Sequence, residues 1–160
     1  MAIKIGGPAP DFTLYDSEKN KVSLSDFKGK NVVILFFPLA FTRVCTTELC
    51  SIRDNMADYN KSHAQILGIS VDSLYVLKQF KQEQNLNFPL LSDFNKEASK
   101  AFDVLDNSFP PFDMHGVSKR AAFVLDKDGI IQYIEICGSA SELPDLDKVQ
   151  KVLTKLEQGF

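Results

Sequence analysis

With 160 residues, 44% hydrophobic, 24% charged and a formal net charge of −3, the chain has the apolar content for one domain over 1–160 whose core needs no disulfide staples. It holds no charge run, no low-complexity tract and no apolar stretch of membrane-spanning length, so neither a nucleic acid nor a membrane partner is expected. Pro8, Pro10 and Asp11 interrupt the opening where a secretion signal needs an apolar stretch, and three cysteines argue for reduced thiols, so the expected location is cytoplasmic.

In chain order, Phe12 and Leu14 alternate with polar residues, 17–20 supplies turn chemistry, and Val22 and Leu24 resume, which predicts a β-hairpin. Residues 31–37 (NVVILFF) are a continuous apolar run rich in β-branched and aromatic side chains, the pattern of a central strand covered on both faces. Pro38 ends it, having no N–H to give to a ladder. Apolar groups at Cys45, Leu49, Ile52, Met56 and Tyr59 then recur in steps of four, three, four and three, which predicts one helix of about four turns with Cys45 at its N-terminal end.

A second buried strand is predicted over 65–71 (QILGISV), then a helix over 73–84 with Leu74, Leu77 and Phe80 inward. A short strand over 88–91 and a short helix over 95–102 follow, and 106–116, with Pro110, Pro111 and Gly116, reads as a surface loop. Strands over 121–125 and 130–136 are joined by a DKDG turn at 126–129. An amphipathic helix over 145–156 closes the chain, with Leu146, Val149, Val152, Leu153 and Leu156 inward. Alternating strands and helices imply right-handed crossovers and parallel pairing, hence an α/β fold with a mixed sheet and helices on both faces.

Open α/β sheets place their chemistry where a central strand ends and the next helix begins. Cys45 lies at such a junction. The positive end of the helix dipole, and any arginine the fold brings close, favour the thiolate, which is the attacking form of the sulfur. Thr42, three residues earlier, is expected to cap the helix and to turn its hydroxyl toward the sulfur or its substrate. Pro38 is expected to shape the loop between them.

The run Pro38-Leu39-Ala40-Phe41-Thr42-Arg43-Val44-Cys45 resembles the peroxiredoxin motif of proline, three residues, threonine or serine, two residues and cysteine. Thr46-Thr47-Glu48-Leu49-Cys50 looks like the bacterioferritin-comigratory (Q-type) branch, while Phe36-Phe37-Pro38-Leu39-Ala40-Phe41-Thr42 with Glu48-Leu49-Cys50 looks like the AhpE-type branch. Gly7-Pro8-Ala9-Pro10-Asp11-Phe12 is similar to the family's opening. The resemblance implies a thioredoxin-like fold and a thiol-dependent peroxidase. In such an enzyme Cys45 would attack hydrogen peroxide or an organic hydroperoxide, become a sulfenic acid and release water or alcohol. It implies no cofactor and no metal, a thioredoxin-like or other thiol reductant, and a monomer or homodimer. The family's active-site arginine maps to Arg120, with Arg43 and Arg53 as rivals; Arg43 stands where relatives commonly have glycine or proline. Glu48 falls where relatives carry a carboxylate that orients the arginine, although an acid near a helix start also suits the dipole without any further role.

Cys50 is five residues beyond Cys45. On an ideal helix that spacing is a rotation of about 140° and a rise of about 7.5 Å, beyond the roughly 7 Å reach of a disulfide, so the first turns must unwind before the two can bond. Resemblance to the Q-type branch implies that Cys50 resolves the sulfenic acid, whereas the AhpE-type resemblance implies direct reduction by an external thiol. Three further readings compete: a metal pair of Cys45 and Cys50 with His115, a thioredoxin-like disulfide oxidoreductase, and a binding module without catalysis. Metal pairs sit on loops with further ligands at regular spacing, and the oxidoreductase needs a Cys-x-x-Cys pair where this chain has Cys45-Thr46-Thr47-Glu48. Cys137, His63 and His115 read as structural or surface residues. Phe36, Phe37, Phe41, Phe109 and Phe112 line an apolar mouth or pack in the core, and the stretch Phe109-Pro110-Pro111-Phe112 is a candidate contact between copies.

Overall fold

In the computed structural model, residues 3–108, 112–139 and 141–158 are described. Strands β1 (Thr13–Asp16) and β2 (Lys21–Ser23) form the expected hairpin, with Leu14 opposite Val22. A single 3-10 turn at Leu24–Phe27 leads into β3 (Asn31–Phe36), whose six residues are all buried. Both faces of β3 are covered: Val33 and Leu35 belong to one apolar cluster, Val32, Ile34 and Phe36 to the other. That explains why its sequence is continuously apolar rather than alternating.

The predicted four-turn helix is instead two. Helix α1 (Arg43–Asp54) stops at Asn55, and α2 (Met56–Lys61) restarts immediately after it. At the break the Asn55 side-chain Nδ2 donates to the Ser51 carbonyl at 2.8 Å, an acceptor it shares with the Asn55 backbone N–H at 3.2 Å, and that N–H is also within 3.2 Å of the Ile52 carbonyl. The apolar stripe survives the break, because Cys45, Leu49, Ile52 and Tyr59 remain in one core cluster. Strand β4 (Ala64–Ser70) and helix α3 (Leu74–Gln84) follow as expected, with Ser73 Oγ accepting from the Val76 N–H at the start of α3. Leu77 and Phe80 are buried, whereas Leu74 is only half-buried.

Strand β5 (Leu90–Ser92) begins just past Pro89, and α4 (Glu97–Ala101) is a short helix. Strands β6 (Leu105–Asp106) and β7 (Val117–Ser118) pair to bracket the loop, a small ladder that two-residue segments cannot announce by periodicity. Strands β8 (Ala121–Leu125) and β9 (Ile131–Ile136) form the second hairpin, and α5 (Leu146–Glu157) ends the fold, capped by Asp145. The main sheet has the order β2-β1-β5-β4-β3-β8-β9. Within it β3, β4 and β5 are parallel, and β8 runs antiparallel to β3.

The crossovers β3 to β4 and β4 to β5 step in the same direction, and α1, α2 and α3 share one core cluster on one face. Residues of those helices share a cluster with Val149 and Leu153 of α5. The opposite face is covered by Ala98 of α4 together with Phe12, Leu14 and Leu24. The mixed sheet with helices on both faces is thus present, with the larger share on the side that carries Cys45. No helix among the described residues is long and apolar enough to cross a membrane.

Candidate active site

The junction after β3 is held by its own backbone. The Ala40 N–H donates to Asp72 Oδ2 at 2.8 Å, and Ser70 Oγ donates to the same oxygen at 2.6 Å. Phe41 adopts φ 68°, a left-handed conformation that costs a non-glycine residue of order 1–3 kcal/mol. Its ring, half exposed, rests 5.1 Å from that of Phe80 on α3. Thr42 occupies the N-cap position with extended backbone, but its side chain does not cap: the hydroxyl donates to the Leu39 carbonyl at 2.9 Å. The expected cap therefore gives way to a bond that closes the loop on itself.

Cys45, in the first turn of α1, is fully buried. Opposite it stands Arg120. Antiparallel pairing of Phe36 with Ala121 sets the residue before β8 beside the end of β3, which is where α1 begins. Arg120 Nη2 donates to Cys45 Sγ at 3.2 Å, and Nη1 donates to Glu48 Oε1 at 2.7 Å. The side chains of Arg120 and Glu48 are 1% and 0% exposed. Cys45 and Glu48, three residues apart, lie on one helix face, so both can meet one guanidinium.

Glu48 is more than a helix-start acid. Burial pushes its carboxyl up to about 7, against the opposing pull of the Arg120 charge and hydrogen bond. Its second oxygen, Oε2, is buried and has no hydrogen-bond partner among the described residues. For Arg120, burial works against the charged form, but Cys45 and Glu48 together outweigh it and the guanidinium is held above its usual value. The rival arginines sit elsewhere. Arg43 is exposed at the head of α1, and Arg53 pairs with Asp54 at 2.9 Å and donates through Nη1 to the Gln84 carbonyl.

Pro38, buried, lines an open cavity of about 290 Å³ together with Arg120, Lys119, Asp106, Ile136 and Cys137. The presence of Cys137 there was not expected. The β8–β9 register pairs Ala121 with Ile136, so the next pair outward is Arg120 and Cys137, and the Cys137 N–H donates to the Arg120 carbonyl at 2.9 Å. Counting outward from the DKDG turn would have found this neighbour, but for the irregularity between Val124 and Leu125 that shifts the count. Burial, then the Glu135 charge, pushes the Cys137 thiol up to about 11, which disfavours its thiolate.

All three cysteines are free. Cys50 is half-buried and its thiol points to Gln84 Oε1 on α3, 3.4 Å away, rather than toward Cys45. The histidines do not join the cysteines: His63 Nδ1 pairs with Glu157 at 2.9 Å, and the His115 ring bonds the Asn107 carbonyl. Among the described residues no group of three or more His, Cys, Asp or Glu side chains converges as metal ligands would. Of the aromatic candidates for an apolar mouth, Phe36 and Phe37 are instead core residues, and Phe112 is 76% exposed. Phe109, Pro110 and Pro111 lie outside the described residues.

Residues 5–134 match the AhpC/TSA family. The chain is 38% identical over 133 residues to peroxiredoxin Bcp of Escherichia coli (strain K12), covering 82% of this chain and 85% of that one. It is 40% identical over 143 residues to the chloroplastic 2-Cys peroxiredoxin BAS1 of Spinacia oleracea, covering 82% of this chain but only 52%, about half, of that relative's length. Among solved structures, peroxidoxin BcpB from Mycobacterium tuberculosis superposes with a TM-score of 0.84 at 28% identity, covering 96% of this chain and 97% of that one.

Proposed function

The chain belongs to the AhpC/TSA family and is a thiol-dependent peroxidase of the peroxiredoxin type, and on that premise we propose that Cys45 is its peroxidatic nucleophile. The observation that carries this assignment is the buried Cys45 sulfur 3.2 Å from a guanidinium whose other arm is fixed by Glu48. The attacking form of the sulfur is the thiolate, and the Arg120 donors and the positive end of α1 suit the oxygen that departs with negative charge. In the step itself, Cys45–S⁻ attacks ROOH, the O–O bond breaks, and Cys45–SO⁻ and ROH result. Sulfur is oxidised and the peroxide reduced.

Arg120 polarises the peroxide, Glu48 aims Arg120, and Thr42 and Pro38 shape the loop over which the substrate approaches. Hydrogen peroxide and organic hydroperoxides are the substrates, and a thioredoxin-type or other thiol returns the enzyme to the reduced state. Cys50 resolves the sulfenic acid as an intramolecular disulfide, after the first turns of α1 unwind. Three free cysteines fit a reducing, cytoplasmic setting. The assembly is a monomer or a homodimer.

Peroxide turnover by the parent, Cys45→Ser, Cys50→Ser and Cys137→Ser, each with dithiothreitol and with thioredoxin, tests the assignment. Activity is lost only in Cys45→Ser under dithiothreitol, and in both Cys45→Ser and Cys50→Ser under thioredoxin. Undiminished turnover of Cys50→Ser with thioredoxin would instead establish direct reduction by the external thiol. Turnover surviving in Cys45→Ser would remove the nucleophile.

A further inference from the structure

The far half of α1 is tied to the end of α3. Cys50 Sγ donates to Gln84 Oε1 at 3.4 Å, and Arg53 Nη1 donates to the Gln84 carbonyl. Asn87 Nδ2, just beyond, donates to the Arg53 carbonyl at 3.3 Å. Gln84 is the last residue of α3, and Asn85 turns the chain away with φ 52°. The near half of α1 is tied elsewhere, since Cys45 and Glu48 both meet Arg120. The two cysteines thus face different partners on different sides of one helix. The Cys50 thiol is held by a neutral side-chain amide.

We propose that Gln84 is a positioning residue for the resolving step: its side-chain oxygen latches the Cys50 thiol away from Cys45 and sets how fast the disulfide forms. This rests on Cys50 being the resolving cysteine. Condensation, Cys45–SOH plus HS–Cys50 giving Cys45–S–S–Cys50 plus water, requires the thiol to leave Gln84 before it can reach the sulfenic sulfur. Meanwhile a second peroxide competes, Cys45–SO⁻ plus ROOH giving Cys45–SO₂⁻ plus ROH, a product that condensation no longer rescues. The latch therefore tunes susceptibility to overoxidation as well as the rate of resolution. Because Gln84 is half-buried, a side chain of equal length can replace it without opening a large void.

The experiment is a quenched-flow time course on the full chain after one equivalent of hydrogen peroxide, read by intact mass. Disulfide and sulfenic acid are followed first, and sulfinic acid is then titrated with excess peroxide. Gln84→Met keeps the length and removes the amide acceptor; disulfide formation accelerates roughly threefold, the scale of one modest hydrogen bond. The peroxide needed for half-conversion to sulfinic acid rises in proportion. Gln84→Glu keeps an acceptor and adds a negative charge that opposes a Cys50 thiolate, so it forms the disulfide no faster than the parent. Asn87→Ala loosens the same helix end without touching the thiol and keeps the parental rate. A parental or slower rate in Gln84→Met, or equal acceleration in Asn87→Ala, overturns the latch while leaving Cys50 as resolver. A parent that accumulates sulfenic acid with no disulfide overturns both.

Discussion

Glu48 is the residue at which local chemistry and stability meet. A carboxyl ordinarily near 4.5 is raised to about 7 because burial outweighs the pull of Arg120, so the folded chain binds this proton more tightly than the unfolded chain does. The stability linked to that proton is fully present below about pH 4.5 and is lost as pH rises to about 7. The shift corresponds to roughly 3 kcal/mol at most, a substantial part of a typical folding free energy. Urea midpoints of the parent should therefore decline across that interval relative to Glu48→Gln, in which no proton is exchanged at the site. Parallel pH profiles of the two proteins would show that Glu48 does not titrate there. Above that range the pair is a buried carboxylate and guanidinium with one carboxylate oxygen left without a partner, an arrangement better suited to fixing geometry than to adding stability.

At the scale of elements, the loop between β3 and α1 depends on a residue just past the end of β4. Asp72 takes the Ala40 N–H and the Ser70 hydroxyl on one oxygen, and the loop it fastens contains the left-handed Phe41. Asp72→Ala frees that N–H in a partly buried site, a cost of about 1–3 kcal/mol. Peroxide turnover should fall about tenfold with it, since 1.4 kcal/mol is one decade. Asp72→Asn, which retains an acceptor, should recover most of the rate; an Asp72→Ala enzyme of parental activity would show that the loop holds itself. How much of this was legible beforehand follows from the range of each interaction. The buried strand at β3, the DKDG hairpin and the position of Cys45 in the first turn of α1 are local consequences of periodicity and turn chemistry. At the break Asn55 adds a side-chain bond reaching back four residues, and the Thr42 hydroxyl chose Leu39 over the helix, choices that composition does not reveal. Arg120 was placed at the site by family resemblance, whereas its bond to Cys45 spans 75 residues and follows from the pairing of β8 with β3.

For the molecule as a whole, β8 joins stability to function. Phe123 on β8 is fully buried and packs its ring 5.8 Å from Phe36 on β3 and 5.1 Å from Phe102. Phe123→Ala should cost about 3–5 kcal/mol, visible as a large fall in the urea midpoint, because the cluster cannot close the void. A loss under 1 kcal/mol would mean that the second core is far looser than its burial indicates. Arg120 immediately precedes the same strand, so the packing of this core fixes where the guanidinium stands relative to the sulfur. The most direct test of the whole account is the second-order rate constant for Cys45 oxidation by hydrogen peroxide, measured by stopped flow in a Cys50→Ser background with Arg120 intact or replaced. Arg120→Met should slow the reaction about 100-fold, the scale of removing one preorganised donor, while the circular dichroism spectrum stays native. A folded Arg120→Met protein that reacts at the parental rate would contradict the claim that this guanidinium drives the chemistry at Cys45.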